Sequence, residues 1–142
     1  MQQIQQFIIN HWALWLAFLT LLILIIINEV IAQKQKAKAL SPTEAVDFIN
    51  HQDAVVIDIR DAESFQKGHI INSIRATADE FAQPRMEKYK TKPLILVCNR
   101  GIQAANLAMQ LRAQGFTQAM VLSGGLSAWT GADLPLAKGK AS

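Results

Sequence analysis

The sequence predicts an α/β domain with a central, mostly parallel sheet flanked by helices, preceded by one N-terminal transmembrane helix. Three observations support this fold class. Residues 12–27 are apolar except for Thr20. Three short, nearly continuous apolar runs, at 54–59, 94–97 and 119–122, are typical of strands covered on both faces. Segments with a helical pattern separate these runs, which is the arrangement of parallel strands joined by helices.

The N-terminal segment is predicted to be a membrane anchor. Residues 7–27 contain three polar side chains, those of Asn10, His11 and Thr20. As a helix rising 1.5 Å per residue, this segment would extend about 31 Å, close to the thickness of the hydrocarbon layer of a bilayer. We therefore assign residues 1–33 to a single-pass transmembrane anchor and expect the lipid bilayer to surround residues 7–31.

Two other interpretations fit part of this pattern. A cleaved signal peptide begins with a basic region, which residues 1–11 lack, although residues 30–32 resemble a cleavage site. A buried core helix would need a larger domain, because the roughly 109 residues from Lys34 onward cannot cover an apolar helix on every side. The anchor is therefore favoured, and the signal peptide remains an alternative.

The basic residues predict the orientation of the anchor. All 14 Lys and Arg residues lie at or after Lys34, and Lys34, Lys36 and Lys38 follow the apolar segment at once. Positive residues beside a span stay in the cytoplasm. We therefore expect the protein in the inner (plasma) membrane, with its N-terminus outside and its domain in the cytoplasm. Trp12 and Trp15 would then lie near the outer interface, where indole rings are favoured.

The net charge of +3 does not indicate nucleic-acid binding. The three lysines after the apolar segment account for the whole excess. Beside a membrane, each can attract anionic lipid by about 1 kcal/mol. We therefore expect no nucleic-acid partner, and we assign residues 34–40 to a basic juxtamembrane linker.

The rest of the chain fits one compact domain, residues 41–136, followed by a short C-terminal tail, residues 137–142. The segment 41–44 is a helix start, with a Ser cap, Pro at the first helical position and Glu three residues after the cap. This helix is expected to reach about Asn50. Further helical segments are predicted at 61–66, 79–89 and 103–114, and Gly115 is expected to end the last one.

Cys98 is the only cysteine of the chain, and it directly follows the apolar run 94–97. A single cysteine permits no internal disulfide, and no Cys/His cluster has the spacing of metal ligands, so we expect no metal site. Residues 98–103 form a loop that feeds a helix, and the backbone N–H groups of such a loop stabilise a thiolate together with the helix N-terminus. Gly101 lets the loop turn, and Arg100 adds positive charge. From position alone, a reactive thiolate and a buried strand-end thiol are equally good interpretations.

Three motifs in a fixed order point to a family. The first, VVIDIRDAESFQKGHIINSI at 55–74, contains an Asp-x-Arg pair, a Glu/aromatic pair and Gly-His-Ile. The second, CNRGIQA at 98–104, is a cysteine loop, and the third, GFTQAMVLSGGLSAW at 115–129, has Gly-Gly before Trp. Together they cover nearly all of residues 41–136, and the chain resembles a single-domain rhodanese, a sulfurtransferase, of the membrane-anchored bacterial type. The matching residues are Asp58, Arg60, Glu63, Phe65, Gly68, His69, Ile70, Cys98, Gly101, Gly124, Gly125 and Trp129.

The resemblance implies a rhodanese-like domain and a sulfurtransferase mechanism without a cofactor. Cys98 would be the catalytic residue, because its thiolate would attack the outer sulfur of a donor such as thiosulfate or a small persulfide and hold it as a persulfide. A thiol, or cyanide in an assay, would then accept the sulfur. The loop residues would bind the substrate and hold its negative charge with their backbone amides; they are Asn99, Arg100, Gly101, Ile102 and Gln103.

One residue departs from the family pattern. The cysteine loop of the family has the form C-x-x-G-x-R, and Gln103 stands here at the position of the Arg. Gln donates hydrogen bonds but carries no charge, so a dianionic donor such as thiosulfate should bind more weakly unless Arg100 compensates. The departure argues against thiosulfate as the natural donor more than it argues against persulfide chemistry.

Other motif residues have less certain roles. Asp58 and Arg60 end the first strand and are expected to border the pocket or brace the cysteine loop. A structural ion pair is the alternative, and it is favoured for Asp58. His69 belongs to the Gly-His-Ile turn and is expected to be structural rather than a partner of the thiolate. Trp129 is expected in the core.

Two other functions compete with a sulfurtransferase. The alternative from another class is a catalytically weak rhodanese-like module that recruits protein partners to the membrane. Cys98 and Gly101 favour the enzyme, and Gln103 slightly favours the module. A cysteine phosphatase is disfavoured, because its C-x5-R loop needs Arg at position 104 to clamp phosphate, and this chain has Ala104.

Overall fold

The structure, a computed structural model, describes residues 1–139 apart from the side chain of Gln35. These residues form two compact units, Met1–Gln35 and the part from Lys36 onward. The predicted C-terminal tail 137–142 begins too early, because Ala137 pairs with His69 and the N–H of Gly139 donates to the carbonyl of Gln66 at 2.8 Å. Residues 140–142 lie outside the described part of the chain.

The first unit is helical. Helix α1 spans Gln2–Asn10, and helix α2 spans Trp12–Gln35. Within α2, the 23 residues Trp12–Lys34 have a mean hydropathy of 2.5 and are not buried. They would extend about 35 Å, so this helix is long and apolar enough to cross a membrane. The apolar segment predicted from residue 7 onward is interrupted at His11, whose φ of −118° and ψ of 26° are not helical, so the candidate span begins at Trp12.

The second unit is a layered α/β domain. Within residues 36–139, five strands form one sheet in the order β1-β5-β4-β2-β3, and every neighbouring pair is parallel. The strands are β1 (Lys38–Leu40), β2 (Val55–Asp58), β3 (Ile74–Arg75), β4 (Leu94–Val97) and β5 (Ala119–Leu122). The α-helices are α3 (Pro42–His51), α4 (Ala62–Lys67), α5 (Ile102–Ala113) and α6 (Gly125–Gly131), and 3-10 helices span Ala78–Ala82 and Pro84–Tyr89.

Helices cover both faces of the sheet, which explains why its central strands are continuous apolar runs. Every residue of β4 and β5 is buried. One core cluster contains Leu96 together with Leu107 and Leu111 of α5. The other core cluster contains Val97 together with Trp129 of α6. Trp129 is therefore a core residue, as predicted.

The three predicted apolar runs form β2, β4 and β5, whereas β1 corrects the predicted linker. Residues 38–40 were expected to lie in the linker 34–40, but they pair with β5, with Lys38 opposite Met120. Leu40 is fully buried, so the burial of this one side chain and the pairing of its backbone make the segment part of the domain. The stretch between α2 and β1 is thus residues 36–37.

The helix signals in the sequence are confirmed, with one change of type. The Ser41 hydroxyl accepts the N–H of Glu44 at 3.2 Å, and the Glu44 carboxylate accepts the N–H of Ser41 at 2.9 Å, which is a complete capping box. The helical stretch predicted at 79–89 consists of two short 3-10 helices, because Pro84 disfavours helical geometry in the residue before it. Gly115 follows α5 with a φ of 106°, as expected for a residue that ends a helix.

Candidate active site

Cys98 lies at the carboxyl edge of the sheet, at the point where the strand order changes direction. The chain passes from β2 to β3 on one side and then to β4 on the other, and ligands bind such sheets at this switch point. Val97 of β4 pairs with Asp58 of β2, and the N–H of Ile59 donates to the carbonyl of Val97 at 3.0 Å. These bonds place Ile59 and Arg60 beside the start of the cysteine loop.

The cysteine sulfur accepts a hydrogen bond from its own loop. The N–H of Gly101 donates to Sγ of Cys98 at 3.0 Å. Gly101 has a φ of 90°, which glycine adopts without strain, and it immediately precedes the twelve-residue helix α5. The amide and the positive end of the helix together favour a negative charge on the sulfur.

The sulfur lies at the border of the core rather than on an open surface. Cys98 is 3% exposed and belongs to the core cluster that contains Leu96, Ala104 and Leu107. Of the backbone amides of residues 99–103, that of Gly101 contacts Sγ within the described range 1–139. The loop motif predicts that several of these amides contact the sulfur, so the number of contacting amides is smaller than the motif alone indicates.

The remaining loop residues form an exposed surface beside the buried sulfur. Asn99, Arg100, Ile102 and Gln103 are all exposed, and Ile102 is 69% exposed at the first position of α5. The surface therefore offers a ligand one cation, two side-chain amides and one apolar side chain.

Residues that follow the Gly-Gly turn are hydrogen-bonded to the backbone of the cysteine loop. The N–H of Leu126 donates to the carbonyl of Cys98 at 2.9 Å, and the N–H of Ser127 donates to the carbonyl of Asn99 at 3.1 Å. Gly125 makes this approach possible, because a Cβ atom there would lie 2.2 Å from the Cys98 carbonyl oxygen. With two loop carbonyls fixed in this way, the loop N–H groups are free to face the other side.

Asp58 and Arg60 form a buried ion pair that braces the neighbouring loop. Nη2 and Nε of Arg60 donate to the Asp58 carboxylate at 2.6 Å and 2.9 Å, and Nη2 also donates to the carbonyl of Gly68 at 2.7 Å. Asp58 is 1% exposed. The pair therefore ties the end of β2 to the Gly-His-Ile turn, while Arg60 also reaches a cavity.

The Arg60 cavity, of about 330 Å³, lies between the end of β2, helix α4 and the start of α6. Its lining residues are Arg60, Ser64, Lys67, Gly68, Leu126, Ser127, Thr130 and Leu136. Ser127 connects it to the loop through the bond to Asn99 described above. The sequence motifs did not predict that Ser64, Ser127 and Thr130 line a cavity with their hydroxyls. The Gly-Gly pair, which is close to two of them in sequence, is the signal that could have indicated it.

A second cavity, the Gln103 cavity, also of about 330 Å³, is lined in part by the last residue of the cysteine loop. Its lining residues are Ile59, Thr77, Ala78, Gln103, Asn106, Leu107 and Gln110. Three side-chain amides and one hydroxyl supply its polar groups, and none of these residues is charged. The N–H of Ile59 is hydrogen-bonded to the carbonyl of Val97, the residue before Cys98, and Gln103 belongs to the cysteine loop. This cavity therefore borders the site.

His69 has a structural environment. It is 3% exposed, its Nδ1 lies 2.8 Å from the carbonyl oxygen of Phe65, and its ring stacks on that of Phe65 at 3.9 Å. Its backbone pairs with Ala137, which brings the end of the domain back onto the turn. These contacts hold the ring at the turn.

The comparisons with known proteins agree with this architecture. A model of the rhodanese-like domain family matches residues 41–132, which is more than half of the chain. The chain belongs to the rhodanese family. The match begins after β1 and includes both the Cys98 loop and the Gly-Gly turn.

Three relatives illustrate the range of this rhodanese's neighbours. It is 38% identical over 143 residues to a protein named uncharacterized protein YibN from Escherichia coli K12, covering 99% of this chain and 100% of that protein. It is 35% identical over 95 residues to the thiosulfate sulfurtransferase GlpE of Pseudoalteromonas translucida, covering 67% of this chain and 90% of that protein. The polysulfide-sulfur transferase homodimer of Wolinella succinogenes has the same fold, with a TM-score of 0.60 and 24% identity over 78% of this chain and 85% of that one. The alignment with YibN includes the apolar helix, whereas the alignment with GlpE has the length of the sheet domain alone.

Proposed function

We propose that this rhodanese is a membrane-anchored sulfurtransferase that moves sulfane sulfur through a persulfide on Cys98. The observation that carries the proposal is the hydrogen bond of 3.0 Å from the Gly101 N–H to Sγ, at the start of α5. A thiol needs no such donor to be satisfied in a core, whereas a thiolate or persulfide anion is stabilised by one.

The reaction has two steps and needs no cofactor. In the first, the Cys98 thiolate attacks the outer sulfur of a donor R–S–S⁻, a new S–S bond forms on Cys98, and the donor's S–S bond breaks to release R–S⁻. In the second, an acceptor thiolate attacks the outer sulfur of the Cys98 persulfide, an S–S bond forms on the acceptor, and the S–S bond on Cys98 breaks to give the acceptor persulfide and the Cys98 thiolate. This is covalent catalysis in a ping-pong order.

The loop supplies electrostatic stabilisation for the persulfide. The terminal sulfur of a Cys98 persulfide would extend one bond beyond Sγ, and we propose that the loop amides of residues 99–103 receive it. The Leu126 and Ser127 N–H groups already occupy the carbonyls of Cys98 and Asn99. The loop can therefore present N–H groups rather than carbonyl oxygens to the anion.

The Gln103 cavity favours a donor of low charge. Its lining residues carry three amides and no cation, and Gln103 replaces the arginine that the family pattern has at this position. A dianion such as thiosulfate finds no charge-assisted partner in this cavity, although the exposed Arg100 lies in the same loop. We infer that the physiological donor is a persulfide rather than thiosulfate.

The membrane location is part of the proposal. Helix α2 has the length and hydropathy of a span, and the basic residues lie on its C-terminal side. These features support an inner-membrane protein with its N-terminus outside and its sheet domain in the cytoplasm. The acceptor would then be a thiol that reaches the cytoplasmic face of the membrane.

The second candidate is a catalytically weak module that recruits a protein partner to the membrane. Two observations favour it, namely the 3% exposure of Cys98 and the absence of a charge at Gln103. In this case the exposed loop surface would be used for binding alone.

Intact mass spectrometry separates the two candidates. The full chain in detergent is incubated with thiosulfate or with free cysteine persulfide, and its mass is compared with that of Cys98→Ser. The enzyme proposal predicts a gain of one sulfur atom that a reducing agent removes, larger with the persulfide, and absent in the variant. A wild-type chain that remains unmodified with every donor supports the module instead.

A further inference from the structure

A cavity of about 280 Å³ lies at the amino edge of the sheet, opposite the cysteine loop. It is formed by the starts of β2 and β3 and by the second 3-10 helix. Its lining residues are Ile49, Ala54, Val55, Val56, Ile71, Asn72, Ile74, Lys88, Tyr89 and Lys92. We call it the amino-edge cavity. Because Cys98 follows the far end of β4, this cavity takes no part in the proposed sulfur chemistry.

The charge of the amino-edge cavity is entirely positive. Lys88 and Lys92 line it and are exposed, and no aspartate or glutamate is among its lining residues. Within residues 1–139, neither of these lysines forms an ion pair, whereas the adjacent Lys90 is paired with Glu87 at 3.0 Å. An anion that enters the cavity therefore meets two ammonium groups that no carboxylate neutralises.

The opening of the cavity also carries apolar surface. Ile71, which lines it, is 52% exposed, and it is followed by Asn72, whose φ of 65° marks a tight turn. Two cations and an exposed apolar side chain at one opening fit a ligand that is anionic at one end and apolar at the other. A phospholipid has this chemistry, and inorganic phosphate has only the first part of it.

The sheet register places this cavity at the same edge of the sheet as Lys38, the first residue of β1. Lys38, Met120, Ile95 and Val56 form one row across four neighbouring strands. At roughly 4.8 Å per strand, Lys38 and the cavity residue Val56 are about 14 Å apart. Helix α2 ends at Gln35, three residues before Lys38 along the chain.

We propose that the amino-edge cavity binds the phosphate-bearing headgroup of an anionic phospholipid, with Lys88 and Lys92 on the phosphate and Ile71 against the lipid. The proposal rests on the membrane anchoring proposed above. The bound lipid would hold the amino edge of the sheet on the membrane surface. The Cys98 loop, at the opposite edge, would then face the aqueous phase, where a soluble sulfur donor can reach it.

The test places an environment-sensitive fluorophore at residue 71. The full chain carries Cys98→Ser and Ile71→Cys, so that the probe has one attachment site, and it is reconstituted in nanodiscs of phosphatidylcholine with or without phosphatidylglycerol. We expect a blue shift only with phosphatidylglycerol, and an approximately threefold fall in the chemical labelling of Lys88 and Lys92. The shift should disappear in Lys88→Gln/Lys92→Gln. It should persist in the charge-matched control Lys67→Gln/Lys138→Gln, which changes two exposed lysines outside the cavity.

The other outcomes are distinct. An equal blue shift in Lys88→Gln/Lys92→Gln and in Lys67→Gln/Lys138→Gln would overturn the site, because the net charge of the domain, and not the position of the lysines, would then explain the shift. Protection of Lys88 and Lys92 by inorganic phosphate in phosphatidylcholine discs, without any effect of phosphatidylglycerol, would overturn the lipid in favour of a soluble anion. A chain that fails to co-purify with either disc would overturn the anchoring itself, and the lipid site with it. A chain that co-purifies with both discs but gives identical spectra would overturn the lipid site alone.

Discussion

The two edges of the sheet differ in whether their charged side chains are paired and in how far their side chains are buried. At the carboxyl edge, Asp58 and Arg60 are paired, and Cys98 is 3% exposed within backbone loops that bond to one another. At the amino edge, Lys88 and Lys92 are exposed beside a cavity without a carboxylate. The carboxyl edge brings one backbone amide to the buried cysteine sulfur, whereas the amino edge exposes two lysine side chains. If both proposals hold, sulfur transfer and membrane attachment take place at opposite edges of the sheet.

The largest effect should come from Gly125→Ala. The new Cβ would lie 2.2 Å from the Cys98 carbonyl oxygen, at a residue with a φ of 60°, so the loop must move. We expect a loss of about 4 kcal/mol in unfolding free energy and no sulfur loading, measured by urea unfolding in detergent and by mass. Gly131→Ala is the matched control in the same helix, because a Cβ there meets nothing within 4 Å. Equal stability of the two variants would show that the turn does not support the loop.

The next effect should come from the ion pair that braces the carboxyl edge. Arg60→Gln leaves the Asp58 carboxylate, which is 1% exposed, without its cation, so we expect a loss of about 3 kcal/mol in unfolding free energy. Lys67→Gln breaks the exposed pair with Glu63 and should cost less than about 0.5 kcal/mol. Urea unfolding of both variants gives the comparison. Similar losses would mean that the bonds of Arg60 are not important for the fold.

A smaller effect is expected in donor choice. Gln103→Arg adds a cation to the uncharged cavity beside the loop, so the ratio of kcat/KM for thiosulfate to that for a persulfide should rise about tenfold. Gln114→Arg adds the same charge at the other end of α5 and should leave the ratio unchanged. The measurement is steady-state sulfur transfer to cyanide with each donor. A rise in both variants would show that net charge, and not the cavity, selects the donor.

The smallest effect concerns Asp61, the N-cap of α4. Hydrogen bonds from the side chain and then the backbone of Ser64 lower the pKa of the Asp61 carboxyl below its ordinary 3.8. A lowered folded-state pKa means that the charged carboxylate stabilises the fold at pH values above 3.8, and that this contribution disappears as the pH falls through the folded-state value. Asp61→Asn should therefore show a slightly shallower loss of stability than wild type in acid, measured by unfolding from pH 6 to pH 2.5. A steeper loss in the variant would contradict this sign.

The sequence predicts the parts of the fold that are defined by many residues of one kind. The runs that form β4 and β5 are wholly buried, and the capping box of α3 is local. Strands β1 and β3 have three and two residues, and β1 begins with exposed Lys38 and Ala39, so neither has a detectable hydrophobic pattern. Their pairing depends on neighbours that are distant in sequence.

The same distinction applies to the candidate site. The Cys98 loop is local, so the glycine and the helix that follow it can be predicted from the motif. The burial of the sulfur depends on Leu107 and other side chains that the fold brings close, and the bond from Leu126 to the Cys98 carbonyl joins two distant segments. The number of amides that contact the sulfur depends on these non-local contacts, so it cannot be predicted from the motif alone.

The most direct test of the account is the chemical state of Cys98 in the membrane of growing cells. The full chain is isolated under non-reducing conditions with rapid alkylation of all thiols, and the peptide that contains Cys98 is analysed by mass spectrometry. Sulfur transfer through Cys98 predicts that a fraction of this peptide is alkylated through an additional sulfur atom, and that reduction removes this sulfur. A peptide found only as the alkylated thiol, even when cells are supplied with a persulfide donor, would contradict sulfur transfer through Cys98.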